Sequence, residues 1–288
     1  MNFRSVNRLS GFRLLAALLF ACLSAGAYAS EVAVVAPSLS LNQGFQLLYN
    51  LDFSQAHNLF LGWEQEHPEN PLGPTGDAAG FLFSEFNRLG ILESQFFTDD
   101  KAFNARKKVD PDPAVRDEFN GALDKAELEA KAKLAKDPRD RDALFAMTLS
   151  SGLRGDYAAL IEKRDIASLH YTKEANSWAQ QLLAVDPTCY DAHVATGFSK
   201  YIIGSMAAPV RWLMRLGGIS GDKAAGIAEL KLTAEHGQYL APFARILLAI
   251  AYVRDKDTAK ARKLLASLRD QFPANPLFPL EIAKLDAK

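Results

Sequence analysis

The sequence is poor in cysteine, which excludes a fold held together by disulfides. It has two cysteines in 288 residues, Cys22 and Cys189, and Cys22 falls within an N-terminal targeting pattern. Cys189 then has no partner in the mature chain, so no internal disulfide can form even in an oxidising compartment. The fold must rest on its apolar core, and Cys189 is most simply a small buried hydrophobic residue.

The chain also lacks an excess of charge of either sign. Its formal net charge is −1, so it carries no basic footprint for nucleic acid. Valine and isoleucine together are only about half as frequent as leucine, and this composition favours helices over strands.

Recognisable catalytic and metal-binding motifs are missing as well. Neither a G-x-S-x-G nor an H-E-x-x-H pattern occurs. The glycines before Lys223 resemble a phosphate loop only superficially, because Asp222 precedes the lysine and Ala224 follows it. His170 and Glu174 are spaced for one helix face, but no cluster supplies the three or four ligands of a zinc site. The sequence predicts no enzyme, no cofactor and no metal site.

The N-terminus carries the pattern of a signal peptide. A basic start with Arg4, Arg8 and Arg13 leads into the apolar run Leu14–Leu23, and Ala27-Tyr28-Ala29 forms a small-x-small cleavage site. The run is too short to span a bilayer and is typical of a signal peptide. We therefore predict a signal peptide over residues 1–29, cleavage after Ala29 and export to the periplasm.

Cys22 raises a lipoprotein as the less favoured alternative. The bulky Phe20 stands near the position where a lipoprotein signal usually has a small residue. Removing the three arginines leaves a mature chain of net charge −4, with a linker predicted over residues 30–37 and no further transmembrane stretch.

The clearest structural pattern lies near the C-terminus, from Leu240 to Pro276. The first half, Leu240–Val253, is almost wholly apolar, as expected for a helix covered on several sides. The second half, Thr258–Gln271, carries apolar residues at helical spacing. The polar residues Asp255–Asp257 separate the two halves, and Pro273 ends the unit.

This helix–turn–helix unit resembles a tetratricopeptide repeat (TPR), a family whose period is about 34 residues. The matching residues in this unit are Ala249, Tyr252, Ala261, Leu265 and Pro273. A second match covers Leu41–Pro71, through Gly44, Ala56, Phe60 and Pro68. The resemblance implies an all-α fold, an α-solenoid of about five TPR-like helix pairs with inserted segments and a C-terminal capping helix.

We expect one helical repeat domain over residues 38–288. The predicted pairs lie near residues 38–68, 76–138, 140–187, 189–236 and 240–273, with a cap over 277–286. Residues 68–76 are predicted as a loop, because they hold three prolines and two glycines. The glycine-free stretch from Asp156 to Val185 fits either one long helix or two helices with a bend near Arg164–Ala167.

A Gly-Phe dipeptide recurs in three predicted first helices, as Gly44-Phe45, Gly80-Phe81 and Gly197-Phe198. In the TPR family the residue after the glycine at the helix crossing faces the concave groove. The resemblance therefore implies a groove lined by Phe45, Tyr49, Phe81, Phe198, Tyr201, Phe243, Ile246 and Ile250. Such a groove is filled either by the inserted segments or by an apolar ligand or partner helix.

The insert over residues 205–221 is the second candidate site. Its residues Arg211, Trp212 and Arg215 combine an amphipathic ring with two arginines one helical turn apart. It fits a lid, or a segment that touches membrane lipid or an acidic partner. The alternative is a small helix packed on the solenoid with its arginines paired locally.

The resemblance implies a non-enzymatic scaffold of the cell envelope that engages a protein or peptide through a concave apolar groove. One alternative is a carrier of an apolar small molecule or lipid in a pocket covered by the 205–221 insert. Another is an enzyme whose site assembles from distant residues such as His170, Glu174 and His193. Peripheral membrane contact stays open, and no nucleic acid partner is expected.

Overall fold

The computed structural model describes residues 40–93, 109–205 and 221–287, and within these ranges the protein is built from helices without strands. This confirms the predicted all-α, TPR-like fold. The eleven α-helices of the described ranges are α1 Leu41–Tyr49, α2 Phe53–Glu66, α3 Leu72–Arg88, α4 Pro113–Lys136, α5 Arg141–Tyr157, α6 Asp165–Val185, α7 His193–Ser205, α8 Lys223–His236, α9 Ala241–Arg254, α10 Thr258–Gln271 and α11 Leu277–Asp286.

Several predictions fall outside the described residues. These are the signal peptide, the linker over residues 30–37, and Arg211, Trp212 and Arg215 of the insert. Within the described ranges, every helix is too short or too polar to cross a membrane.

Helices pack in consecutive pairs, α1 with α2, α3 with α4, α5 with α6, α7 with α8 and α9 with α10, and α11 packs on α10. Each second helix carries a small buried residue, in the first turn of α2, α8 and α10 and near the middle of the longer α4 and α6. These residues are Ala56, Ala126, Ala175, Gly226 and Ala261. In four of the five pairs a proline lies twelve positions after this small residue. The small residue therefore lies at a constant distance from the end of its helix.

Aspartates mark the helix starts. The side chain accepts a hydrogen bond from the backbone N–H three residues later in α2, α5, α8 and α10. The capping residues are Asp52, Asp140, Asp222 and Asp257. Each cap satisfies an amide group that has no partner within its own helix.

The predicted loop over residues 68–76 is right for residues 68–71 and wrong for residues 72–76, because α3 begins at Leu72. Pro74 lies in the first helical turn, where the missing N–H breaks no helical hydrogen bond. The Asn70 side chain caps this turn by accepting from the Leu72 amide at 3.1 Å. Gly76 allows α3 to lie against α2, since an added Cβ would fall 2.5 Å from Phe60 Cε1.

The proposed crossing role of Gly80 is also wrong. A Cβ at Gly44 or Gly197 would strike the second helix of its own pair, whereas one at Gly80 would meet only Leu48 of α1, at 3.6 Å. Gly197 lies ten residues after Pro187, and the same count from Pro68 reaches Ala78, which is fully buried. The register of the repeat therefore places Ala78 at the crossing.

The stretch from Asp156 to Val185 contains a break, which decides between the two predicted alternatives. Helix α5 passes into a π-helical turn at Ala158–Glu162, and Lys163 adopts a left-handed backbone with φ of 56°. A new helix, α6, begins at Asp165. The single left-handed residue redirects the chain by ending one run of helical hydrogen bonds and allowing the next to start.

The backbones of α7 and α8 approach each other closely at Gly226. A Cβ at Gly226 would lie 2.5 Å from the Tyr201 amide nitrogen and 2.6 Å from the Gly197 carbonyl oxygen. Gly221 likewise lies against Gly204 and Ile203. The end of α7 and the residues just before α8 therefore touch, with Gly204 on one side of the contact and Gly221 on the other.

We predict that Gly226→Ala destabilises the protein by about 2–4 kcal/mol, because its Cβ would meet backbone atoms that cannot rotate away. Urea unfolding followed by circular dichroism measures the change. The control is Gly121→Ala in α4, where an added Cβ meets nothing within 4 Å. This control should stabilise by about 0.5–1 kcal/mol through helix propensity. Equal effects at both sites would contradict the close α7–α8 crossing.

Candidate binding surface on the inner face of the array

Six aromatic residues meet where the first helices of different pairs converge, and we call them the aromatic cluster. They are Phe45, Tyr49, Phe83, Phe145, Tyr239 and Phe243. The Tyr239 ring centroid lies 5.1 Å from that of Phe45 on α1 and 6.0 Å from that of Phe145 on α5. Phe83 on α3 and Phe243 on α9 meet edge to face at 6.1 Å. The cluster fills part of the inner face with the chain's own side chains.

Tyr49 connects the first helix pair to the last. Its hydroxyl donates to the Tyr239 carbonyl at 3.0 Å, and its ring lies 5.4 Å from Phe272. The Asn275 amide donates to the Tyr49 carbonyl at 2.8 Å. Burial raises the pKa of Tyr49 well above its ordinary value, so the hydroxyl stays protonated and able to donate. The two ends of the array are thus bonded to each other.

Asp191 positions the turn that delivers Tyr239. Its carboxylate accepts the backbone N–H groups of Gln238, Tyr239 and Leu240 at 3.0, 3.1 and 3.0 Å. The residue is 5 % exposed. Burial raises the pKa of Asp191 even though these three hydrogen bonds act in the opposite direction. One buried side chain therefore satisfies three successive backbone amides of this turn.

The structure places the groove residues expected from the sequence at several different locations. Phe45, Tyr49 and Phe243 belong to the aromatic cluster, and Ile246 packs with the last helix pair. Tyr201 is buried beside the α7–α8 crossing. Phe198 and Ile250 remain partly exposed. The sequence did not single out Phe83, Phe145 or Tyr239, because their contacts join residues far apart in the chain.

Phe81 lies elsewhere, between α2 and α4. Its ring is 5.3 Å from that of His57, which also bonds to the buried carboxylate of Asp77 at 2.6 Å. Burial raises the pKa of Asp77 against the opposing effect of His57. Among the described residues no serine, threonine or cysteine hydrogen-bonds to His57, so the pair lacks the nucleophile of a catalytic triad. The space beside the Phe81 ring is closely packed, lined by Leu82, Glu85, Pro111, Val115, Arg116, Phe119 and Tyr157.

The inner face continues beyond the aromatic cluster toward the C-terminal ends of the first helices. On α5 the helical spacing from Phe145 leads through Leu149 and Gly152 to Asp156. On α9 the same rule leads from Phe243 through Leu247 to Ile250.

On α7 the same spacing starts at Ala195, which packs against the main core, and leads to Phe198 and Ile202. We call this region the C-terminal inner face. It comprises Leu149, Gly152, Asp156, Phe198, Ile202 and Ile250.

This C-terminal inner face is apolar and only partly covered. Ile202 is 37 % exposed, and Phe198, Leu149 and Ile250 are partly exposed. Asp156 is its single charged member. Burial raises the pKa of Asp156 to about 7, and within the described ranges its carboxyl has neither an ion-pair nor a hydrogen-bond partner.

The residues considered for metal binding or catalysis do not form a centre in the described ranges, where no three His, Cys, Asp or Glu side chains come together. His170 is exposed and contacts Tyr171. His193 is partly buried, and desolvation lowers its pKa. Burial raises the pKa of Cys189, which keeps the thiol protonated.

Comparison with known proteins gives a likeness in fold without a family assignment. No family model matches the chain, and no curated protein matches it. A crystal structure of a thermophilic TPR protein from Thermus thermophilus is similar, with a TM-score of 0.45 and 18 % sequence identity. The alignment covers 86 % of this chain and 97 % of that one.

We predict that Asp191→Ala destabilises the protein by at least about 3 kcal/mol, because three backbone amides, one of them buried, lose a charged acceptor. The matched control is Asp257→Ala, which removes an exposed helix cap with one amide partner and should cost about 1 kcal/mol. Thermal and urea unfolding of both variants measure the difference. An Asp191→Ala variant no less stable than the control would show that the turn before α9 does not depend on this carboxylate.

A second prediction concerns pH. The pKa of Asp156 rises from an ordinary value near 3.8 to about 7 on folding, so the folded state holds the proton more tightly. This contribution to stability is complete below about pH 4 and is lost as the pH rises through about 7. Asp156→Asn should lack this loss and gain up to about 4 kcal/mol relative to wild type between about pH 4 and pH 8. Urea unfolding of wild type and Asp156→Asn at about pH 4 and about pH 8 measures the stability difference between them. An equal difference at the two pH values would refute the prediction.

Proposed function

We propose that this protein is a non-enzymatic binding protein of the cell envelope that engages a segment of a partner protein on its C-terminal inner face. The observation that carries the proposal is the partial exposure of Phe198, Ile202 and Ile250 on the first helices α7 and α9. Exposed apolar patches mark sites where a partner binds.

The position of this surface supports a peptide-like partner. It is carried by rigid helices rather than by loops, and its apolar residues recur at helical spacing on α5, α7 and α9. A partner helix or extended segment presents apolar residues at comparable intervals and can lie along such a face. The basic, apolar and small-x-small pattern of residues 1–29 supports export to the envelope.

The binding surface can be tested by peptide selection. The chain from Ser30 is used to select binders from a phage-displayed library of random peptides, each about 12 residues long. Selected peptides should bind wild type and lose at least about tenfold in affinity with Ile202→Asp, because a charge would enter the apolar contact. Fluorescence anisotropy with synthetic peptides measures the affinities.

The matched control is Leu232→Asp on α8. Leu232 is 38 % exposed, almost the same as Ile202 at 37 %, but it lies on the side of α8 away from Gly226. This variant should bind the peptides as wild type does. Both variants should unfold at similar denaturant concentrations, since each introduces charge at a surface position. Peptides that bind wild type and Ile202→Asp equally would place the binding surface elsewhere.

A further inference from the structure

The last helices of the array have a hydrophobic core of their own. Its buried members are Ala249, Leu265, Leu268, Phe272, Phe278 and Ile282. None of them belongs to the main core, whose last buried member along the chain is Ala244 on α9. The two cores meet at Tyr49 on α1, which packs against both. Helices α10 and α11 therefore bury apolar side chains against each other and against the second half of α9, and we call these two helices and the turn between them the C-terminal unit.

The C-terminal unit contacts α1 through side chains. The Asn275 side-chain amide donates to the Tyr49 carbonyl at 2.8 Å, and the Gln271 side-chain amide donates to the Gln46 side-chain oxygen at 3.4 Å. Over the residues that the structure describes, no backbone N–H of the unit bonds to a backbone carbonyl of α1. We call this boundary between the unit and the first part of the chain the seam.

The polar contacts of the seam are individually weak. The bond between Gln271 and Gln46 lies beyond the usual length of an N–H···O hydrogen bond. Lys284 of α11 pairs with Glu93 at 3.0 Å, but both side chains are partly exposed, and exposed ion pairs contribute little to stability. A boundary of this polar kind is typical of parts of a protein that move relative to each other.

Separation at the seam would uncover apolar groups beside the aromatic cluster. Phe272 is 1 % exposed, and its ring lies 5.4 Å from that of Tyr49. On α1, Tyr49 lies one helical turn after Phe45, which belongs to the aromatic cluster. The surface uncovered on α1 would therefore continue the apolar inner face of the array.

We propose that the C-terminal unit is a latch. Helices α10 and α11 separate from α1 as one cooperative unit while the main core stays folded, and this opening uncovers Tyr49 as an additional apolar contact. A unit with its own core and weak contacts to its surroundings opens at lower free energy than the whole molecule. Opening needs no bound partner, so it can be measured on the free chain.

The test is native-state hydrogen exchange, followed by mass spectrometry, on the chain from Ser30 in guanidinium concentrations below the unfolding transition. The amides of α10 and α11 should exchange through one shared opening, at least about tenfold more often than those of α5 and α6. The exchange of α10 and α11 should also depend less on denaturant, because a partial opening exposes less surface. Helix α1 should keep its protection during this opening.

Asn275→Asp tests the seam directly. This variant removes the donor to the Tyr49 carbonyl but keeps the oxygen that accepts from the Leu277 amide at the start of α11. Exchange in α10 and α11 should become at least about threefold faster, with α5 and α6 unchanged. The matched control is Asn120→Asp on α4, since the Asn120 amide also donates to a backbone carbonyl, that of Arg116. The control should leave the exchange of α10 and α11 as in wild type.

Three outcomes would overturn the latch. The first is exchange of α10 and α11 at the rate and denaturant dependence of α5 and α6, which means that the unit opens only when the whole protein unfolds. The second is protection that declines residue by residue toward the C-terminus, which is fraying without a cooperative unit. The third is an equal effect of Asn275→Asp on all helices. None of these outcomes bears on peptide binding, so the proposed function is tested separately.

Discussion

The insertion of Tyr239 between the first helices is the interaction on which the rest of the array depends. In a helical repeat each unit normally contacts only its neighbours, so stability is close to a sum of local terms. Here the Tyr49 hydroxyl bonds to the Tyr239 carbonyl across 190 residues of sequence, and the Asn275 side chain bonds back to Tyr49. These contacts join the first and last pairs and make the array a closed unit with a shared core.

Closure of the array also decides which part of the inner face is free. On α5 and α9 the aromatic cluster covers the N-terminal halves, at Phe145 and Phe243, whereas Leu149 and Ile250 further along these helices are partly exposed. Asp191 sets this division, because the turn that it holds fixes how far Tyr239 and Phe243 reach inward. A fold that resembles an open scaffold therefore presents a shorter surface than its number of helices suggests.

Local sequence signals were enough to predict the helices and their pairing. Each of four second helices has a small residue twelve positions before a proline. Both residues affect the chain only near their own positions, so the sequence alone reports them. The Gly80 assignment was wrong because a two-residue match was preferred to the ten-residue count from the preceding proline, which reaches Ala78. Tyr239 was missed for a different reason. Its partners, Phe45 and Phe145, are distant in sequence, and no periodicity within a window of about 15 residues reports such a contact.

Asp156 is the residue whose presence the fold alone does not explain. Burial raises the pKa of Asp156 from its ordinary value to about 7. At neutral pH the carboxyl therefore lowers the free energy of unfolding by up to about 4 kcal/mol. Asparagine has nearly the same shape and would avoid that cost.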